Sequence, residues 1–387
     1  MVDDEARVGR RGADRWAHGH PWIFASDVTR GPDKPGVLLV TGPTGKPLGQ
    51  ALYSPESEIR LRLLDPRPKV RIDVQWWRQR IRAALERRAG IDATGFRVVH
   101  GEGDGLPSLV VDRYDRWLVA QLLSAGLETR RAEILEAIGL ELAPAGILLR
   151  NDAPVRRHEG LPTAVELAHG TVPADIEIRE GTVRYLAAPW TGQKTGAFLD
   201  QRANRVRAAA LMPPGGTGLD CFSYHGSFAL HLAQRARSVV ALDVSGDALA
   251  RGADNAALNR LDNISWRASD AFEELRALER SRERFDVVVI DPPAFAKSKS
   301  AVPQALRGYK EINLRGMRVV EPGGWLLTAS CSFHVRWPEF REVVAAAAAD
   351  SGRRVAVVDY LGQPPDHPEV LAIPETGYLK AVVLRID

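Results

Sequence analysis

Apolar and polar positions divide the chain into three stretches of different rhythm. From Leu219 onward, short apolar runs alternate with segments of helical apolar spacing. The pattern predicts strands at 218–221, 238–243, 264–268, 285–290 and 324–330. Helices are predicted over 226–236, 245–259, 270–281, 303–320 and 337–350, and strands at 354–359 and 378–384 close the chain. Strand–helix alternation on this scale is the signature of a doubly wound α/β sheet. Residues 1–70 read as a small β-rich unit, with strands at 37–40, 47–53 and 59–64 separated by Gly- and Pro-containing turns. Asp65-Pro66-Arg67-Pro68 reads as an exit linker, followed by a helix over 74–89. A second α+β unit spans about 95–185, with strands at 96–100, 109–114, 117–122 and 146–150 and a helix over 127–138. No internal repeat is evident.

The ends of the predicted parallel strands carry the chemistry. Asp291-Pro292-Pro293 closes one apolar run and Ser330-Cys331-Ser332 the next, with a helix between them. Strand–helix–strand connection puts both carboxyl ends on one sheet edge, where open α/β sheets bind ligands. Asp220, Asp243 and Asp270 fall at the ends of the three preceding strands. An acid after the second strand suits ribose hydroxyls, and Asp270 suits a helix cap or an adenine edge. The loop Cys221-Phe222-Ser223-Tyr224-His225-Gly226 has small residues that allow close backbone approach. It matches neither Gly-x-Gly-x-x-Gly nor a Gly-Lys-Ser/Thr phosphate loop, which argues against a nicotinamide-dependent oxidoreductase. An adenosine-containing ligand without a diphosphate fits the series best, and S-adenosylmethionine is the obvious candidate. Cys221 reads as a buried small hydrophobe. Cys331 lies where strand gives way to loop, and a thiolate there can attack carbon 6 of a pyrimidine, making carbon 5 nucleophilic.

Composition narrows the setting. The hydrophobic fraction of 45% and charged fraction of 26% are those of ordinary globular protein, and no apolar run approaches a membrane span. Met1-Val2-Asp3-Asp4-Glu5 lacks the basic start and apolar core of a secretory leader. Two cysteines exclude a disulfide framework and a Cys-rich zinc site. The expectation is a cytoplasmic protein with reduced thiols and no metal. The net charge of +3 says little. Its distribution says more, because arginines crowd residues 1–90 (Arg7, Arg10, Arg11, Arg15, Arg30, Arg60, Arg62, Arg67, Arg71, Arg78, Arg80, Arg82, Arg87 and Arg88). Trp16, Trp22, Phe24, Tyr53, Trp76 and Trp77 are interleaved with them. Arginines for phosphates and aromatics for unpaired bases suit RNA. The competing reading is a solvated arginine-rich surface over a tryptophan-containing core.

With these residues in view, the chain resembles the RlmI-like family of bacterial 23S rRNA 5-methylcytosine methyltransferases, nearly end to end. The resemblance rests on the segment from Gly105-Leu106-Pro107 to Asp112-Arg113-Tyr114, on Gly192 to Arg202, and on Cys221 to Gly226. Asp291-Pro292-Pro293-Ala294-Phe295, Arg307 to Asn313, Ser330-Cys331-Ser332 and Asp366-His367-Pro368 complete it. It implies a PUA domain over 1–70, a small β-β-α-β-β central domain over 71–187 with a linker helix, and a class I (Rossmann-like) methyltransferase domain over 188–387. S-adenosylmethionine is the implied cofactor. The partner would be 23S rRNA, free or in an assembling large subunit, with no membrane and a homodimer as one arrangement the β-rich unit could support. Phe198, Asp200, Gln201 and Arg202 become cofactor-side candidates, beside Asp220, Phe222, Ser223, Tyr224, Gly226, Asp243, Asp270 and Asp291. Lys194, Pro292, Pro293, Phe295, Arg307, Tyr309 and Lys310 become substrate-side candidates, and Cys331 and Asp291 the catalytic pair.

Two departures bear on mechanism. Related enzymes carry a second cysteine beside the Pro-Pro motif, whereas Ala294 and Phe295 stand here. Cys331 is then the single catalytic thiol, and the acceptor of the carbon-5 proton is unassigned. Asp291 would hold the cytosine ring nitrogen. Amino-methyltransferases place an aromatic directly after Pro-Pro, but Ala294 intervenes. Carbon methylation is therefore favoured over exocyclic-amine methylation of adenine or guanine, and over a non-catalytic RNA-binding assembly factor.

Overall fold

The computed structural model describes residues 5–387. Residues 1–4, on which the expectation of no secretory leader and the start of the β-rich unit both fall, lie outside the described residues. The chain forms two compact units. The first contains residues up to Ile178, Leu186–Leu199 and Pro365–Thr376, and the second contains Arg179–Tyr185, Asp200–Pro364 and Gly377–Asp387.

The first unit holds two sheets. The N-terminal sheet contains β1 (Glu5–Val8), β2 (Trp22–Phe24), β3 (Val28–Arg30), β4 (Gly36–Thr41), β5 (Pro47–Tyr53) and β6 (Ile59–Asp65), in the order β2-β6-β5-β4-β1-β3. Helix α1 (Arg10–Ala17) and strands β1 to β3 were not legible in the sequence pattern. They are short, and arginines interrupt the apolar positions of α1, β1 and β3. Helix α2 (Val74–Glu86) follows, capped by the Asp73 carboxylate on the Trp76 amide. Its Trp77, Ile81 and Ala84 lie at helical spacing and join the core of the next sheet.

That sheet contains β7 (Gly95–His100), β8 (Leu109–Tyr114), β9 (Trp117–Leu122), β10 (Gly146–Asn151) and β11 (Ala164–Gly170), in the order β11-β10-β9-β8-β7. Helices α3 (Ala125–Glu128) and α4 (Arg131–Leu142) separate β9 from β10. The β-β-α-β-β expectation thus gains one more strand at its start, β7. Buried ion pairs stiffen this unit. Both Asp104 oxygens take Arg88 at 2.6 Å, and Arg88 also donates to the Asp366 carbonyl at 2.8 Å. Asp366 accepts the Arg97 amide at 2.9 Å, so the Asp366-His367-Pro368 motif is structural within this unit.

A two-stranded ribbon, β12 (Ile176–Glu180) and β13 (Val183–Ala187), carries the boundary between the units. The second unit begins its regular structure with α5 (Arg202–Leu211) and has the sheet predicted for it. Strands β14 (Thr217–Cys221), β15 (Ser238–Asp243), β16 (Ile264–Ala268), β17 (Phe285–Ile290), β18 (Val320–Ser330), β19 (Val355–Leu361) and β20 (Lys380–Ile386) form the order β16-β15-β14-β17-β18-β20-β19. Six run in one direction, and β20 alone runs antiparallel, between β18 and β19. Helices α6 (Ser227–Ala233), α7 (Gly246–Leu258), α8 (Ala271–Ser281), α9 (Val302–Arg318) and α10 (Trp337–Ser351) are the connections. Val287, Val288, Val289 and Ile290 of β17 are all buried, as a central parallel strand requires. Each such side chain contributes about 1.5–3 kcal/mol by leaving water.

Arg205 and Glu180, each 1% exposed, form a two-point pair at 2.5 and 2.9 Å under the sheet. The Tyr185 hydroxyl also donates to Glu180 at 2.5 Å. Replacing Glu180 by Gln strands a buried guanidinium, and urea denaturation should show a loss of about 3 kcal/mol.

Candidate functional site

Register sets the site. Cys221 of β14 pairs with Leu242 of β15 and Ile290 of β17, and Ile290 pairs with Thr328 of β18. The carboxyl ends of four parallel strands therefore share one edge, and the loops after them carry Phe222, Asp243, Asp291 and Cys331.

The first loop is built to approach a ligand. Phe222, Tyr224 and Gly226 all have positive φ, at 64°, 49° and 76°. A Cβ on residue 226 would run into the Trp266 ring, so glycine is required there. The loop's conformation is held by Asp243, whose Oδ2 accepts the Tyr224 amide at 2.9 Å while Oδ1 accepts the Ser245 amide at 2.9 Å. Tyr224 stacks on His225 at 3.7 Å. Burial, with Arg251 nearby, lowers the His225 pKa to about 4, so that ring is neutral at pH 7. Asp220 accepts the Ala229 amide on Oδ2 at 2.9 Å, but its Oδ1 is buried with no partner, as is the Ser223 hydroxyl. Burial foremost, then Asp291 and Asp243, raise the Asp220 carboxyl well above the usual range. Orphaned buried acceptors beside a glycine cradle fit a polar ligand that supplies donors. Asp270 is exposed and caps α8, with Oδ1 accepting the Phe272 and Glu273 amides at 2.9 and 3.1 Å.

The second half of the edge is a clamp around the thiol. Asp291 Oδ1 accepts from Gln201 Nε2 at 2.8 Å, and Asn204 fixes the Gln201 amide at 2.6 Å. The half-buried Cys331 approaches the Pro292 carbonyl at 3.8 Å. Its neighbours are tied down: Ser330 Oγ donates to the Tyr309 hydroxyl at 2.8 Å, and that hydroxyl bonds Ser332 Oγ at 2.9 Å. Ser332 Oγ also accepts the Ala296 amide at 3.2 Å, linking the Pro-Pro loop to the cysteine loop. Lys380 of β20 donates to the Ser332 carbonyl at 2.8 Å. Sequence reasoning missed Ser330, Ser332 and Lys380. The legible signal was a lysine directly before the apolar run Ala381–Leu384.

Several assignments change. Tyr309 is 0% exposed and its phenol is pushed up by burial, so it supports the cysteine loop and does not face a substrate. Phe295 packs on Tyr309 at 4.7 Å and lies half-buried against the core. Lys310 is paired with Asp350 at 2.7 Å, while Arg307 is exposed. Pro292 is buried and Pro293 exposed. The segment containing the cofactor-side candidates is divided: Lys194 and Phe198 belong to the first unit, where the ammonium lies 4.6 Å over the ring, and Asp200, Gln201 and Arg202 to the second. Asp200 accepts from the Tyr378 hydroxyl at 2.8 Å, and Arg202 is buried. Cys221 is 0% exposed, as a core residue.

The arginine-rich region is largely neutralised from within. Arg62 pairs with Glu159, Arg67 and Arg80 with Asp65, Arg78 and Arg82 with Glu141, and Arg87 and Arg88 with Asp104. Arg10, Arg11 and Arg71 face Asp14, Asp27 and Asp73. The Arg67 hydrogen bond holds the Asp65 carboxyl well below its usual range. Trp16, Tyr53, Trp76 and Trp77 are buried, so the tryptophan-in-core reading holds for them. Trp22 and Phe24 stay half-buried, with Arg15 4.5 Å over Phe24. No group of acids, cysteines or histidines able to hold a metal, and no helix long and apolar enough to cross a membrane, occurs among the described residues.

Asp220 gives a pH test. A carboxyl raised in the folded state keeps its proton after the unfolded chain has lost its own, so stability falls as pH rises above the usual carboxylate range. Asp220→Asn removes that loss. The variant should match wild type near pH 4 and melt increasingly above it toward pH 8, in cofactor-free thermal scans.

The sequence profile for S-adenosylmethionine-dependent methyltransferases matches residues 96–385, and that for PUA-like domains matches 6–66. Proteins named ribosomal RNA large subunit methyltransferase I are similar throughout. The one from Shewanella frigidimarina is 39% identical, that from Aeromonas hydrophila 38% and that from Citrobacter koseri 37%, each over 95% of both chains. A SAM-dependent methyltransferase structure from Streptococcus mutans shares the fold across the whole of both chains, with TM-score 0.84 at 19% identity. A methyltransferase solved with SAH gives 0.85 at 20%, again over the whole of both chains. The glycine cradle, the strand-end acids and the whole-length likeness agree: the chain is an S-adenosylmethionine-dependent methyltransferase with a PUA-like domain and belongs to the ribosomal RNA large subunit methyltransferase I family.

Proposed function

We propose that the protein forms 5-methylcytosine in 23S ribosomal RNA, free or in an assembling large subunit, in the cytoplasm. The observation that carries this reading is the clamp that presents Cys331 beside the Pro292 carbonyl, with Asp291 on the same sheet edge. Residues 1–70 act as the RNA-binding PUA domain, 71–187 as the central domain and 188–387 as the methyltransferase domain. A homodimer is part of the same proposal.

Asp220, Ser223, the Phe222–Gly226 backbone and Asp243 hold the cofactor, with Asp270 at its adenine end and Asp200, Gln201 and Arg202 at its methionine end. When bound, S-adenosylmethionine supplies an electrophilic methyl group on a sulfonium. The Cys331 thiolate adds to carbon 6 of cytosine, and the ring's electron pair moves to carbon 5, which becomes the nucleophile. Asp291, oriented by Gln201, holds the ring nitrogen that gains proton density as the adduct forms. Loss of the carbon-5 proton then returns the electron pair to the ring and expels the thiolate. A thiol outperforms serine in this role because it is the better nucleophile and leaving group. Phe295 is half-buried against Tyr309, and Ala294 separates it from Pro293, which disfavours the amino-methyltransferase reading.

Cys331→Ala should retain cofactor binding by calorimetry and lose at least about a thousandfold in methyl transfer to rRNA. Mass spectrometry of wild-type product should give 5-methylcytidine. Undiminished transfer in the variant, or an N-methylated purine, overturns the reading.

RNA contact falls to arginines outside the internal ion pairs, among them Arg7 and Arg30, which sit directly opposite each other in the β1–β3 register. Like charges so placed repel unless an anion joins them. Arg7→Ala with Arg30→Ala should reduce the slope of log affinity against log salt by about 2, whereas Arg78→Ala should leave it unchanged.

A further inference from the structure

Lys380 is a cation in a place where cations are costly. It stands first in β20, opposite Ser330 in the β18 register, and is 4% exposed. Its Nζ donates to the Ser332 and Tyr378 carbonyls, each at 2.8 Å. Those two bonds use two of its three N–H groups and fix the ammonium on the carbonyl next after Cys331. A buried ammonium needs an anion as well as dipoles, and the loop whose Ser332 carbonyl it holds carries the Cys331 thiol one residue earlier.

We infer that Lys380 is a positioning residue for the nucleophile: its ammonium is the counter-ion that favours the Cys331 thiolate over the thiol. The inference rests on Cys331 being the nucleophile. Burial lowers the Lys380 pKa to about 8, while Cys331 and then Glu339 push it back up. The attraction is mutual, so the interaction that favours the ammonium equally favours the thiolate. At pH 7 the lysine is mainly the ammonium. Forming the ion pair moves one proton from sulfur to solvent and changes no other bond. The Sγ contact with the Pro292 carbonyl belongs to the thiol form.

The other titratable groups around the pair do not replace this cation. Tyr309 on α9 is held neutral by burial. Glu339 on α10 and Asp291 after β17 carry the opposite charge, and Asp359 on β19 is engaged by Arg207 at 3.0 Å. Among these neighbours, Lys380 alone is in place to stabilise negative sulfur.

Thiol reactivity tests this without RNA or cofactor. Iodoacetamide alkylation of Cys331 is followed by peptide mass spectrometry from pH 5.5 to 9.5, with buried Cys221 as the unreactive internal reference. Lys380→Met should move the midpoint up by about one pH unit and slow alkylation roughly tenfold below it. Lys380→Arg, which keeps the charge, should leave the midpoint at or below wild type. An unchanged midpoint in folded Lys380→Met overturns the inference. If that variant does not fold, the arginine variant decides, and a raised midpoint there overturns it. Failure here is separable from failure of the methylation reading, which is judged by the wild-type nucleoside product and by methyl transfer in Cys331→Ala.

Discussion

The parallel pairing of β14, β17 and β18 is the constraint on which the second unit's chemistry depends. A parallel register fixes where every strand ends relative to its neighbours, and a slip of one residue would turn each inward side chain outward. Here Cys221, Ile290 and Thr328 lie in line across the three strands. The backbone then leaves the sheet at one edge three times, delivering the Phe222–Gly226 loop, Asp291 and Cys331 to the same side. The burial of β17 on both faces makes this register expensive to change, because a slip would exchange Val287 and Val289 with Val288 and Ile290 between the two cores they fill.

Polar clamps refine what register begins. Neither catalytic candidate is left on a free loop. Gln201 and Asn204 fix Asp291, while Tyr309, Ser330, Ser332 and Lys380 fix the chain around Cys331. The Ala296 amide on Ser332 couples the two loops directly. Under the proposed mechanism the reacting groups are thereby held in place before substrate arrives, which is where much of an enzyme's advantage lies. The cofactor side is less satisfied: Asp220 Oδ1 and Ser223 Oγ have no partner within the protein. That contrast separates residues whose work is to support from those whose partner is a ligand.

Much of this was legible in the sequence because central parallel strands advertise themselves. Strands β15, β16 and β17 fall at the residues their apolar runs predicted, and the strand-end acids follow from counting. The short N-terminal elements did not, because α1 is arginine-rich and β1 to β3 have only three or four residues each. The arginines misled for a related reason. Composition counts charge but not partners, and Asp65, Asp104 and Glu141 each absorb two of them. Tyr309 looked like a substrate contact from its neighbourhood in the chain, whereas helix phase turns it inward beneath the thiol. Lys380 escaped notice because its meaning comes from the antiparallel β18–β20 register, which joins residues distant in sequence.

The central claim is a covalent bond between Cys331 and carbon 6 of cytosine. The most direct measurement is trapping with rRNA fragments carrying 5-fluorocytosine, whose fluorine cannot leave as the proton does. With S-adenosylmethionine present, denaturing electrophoresis should show a stable protein–RNA adduct, and peptide mass spectrometry should locate the nucleotide on Cys331. An adduct-free protein that still methylates the unmodified fragment, or an adduct on another residue, would contradict the account.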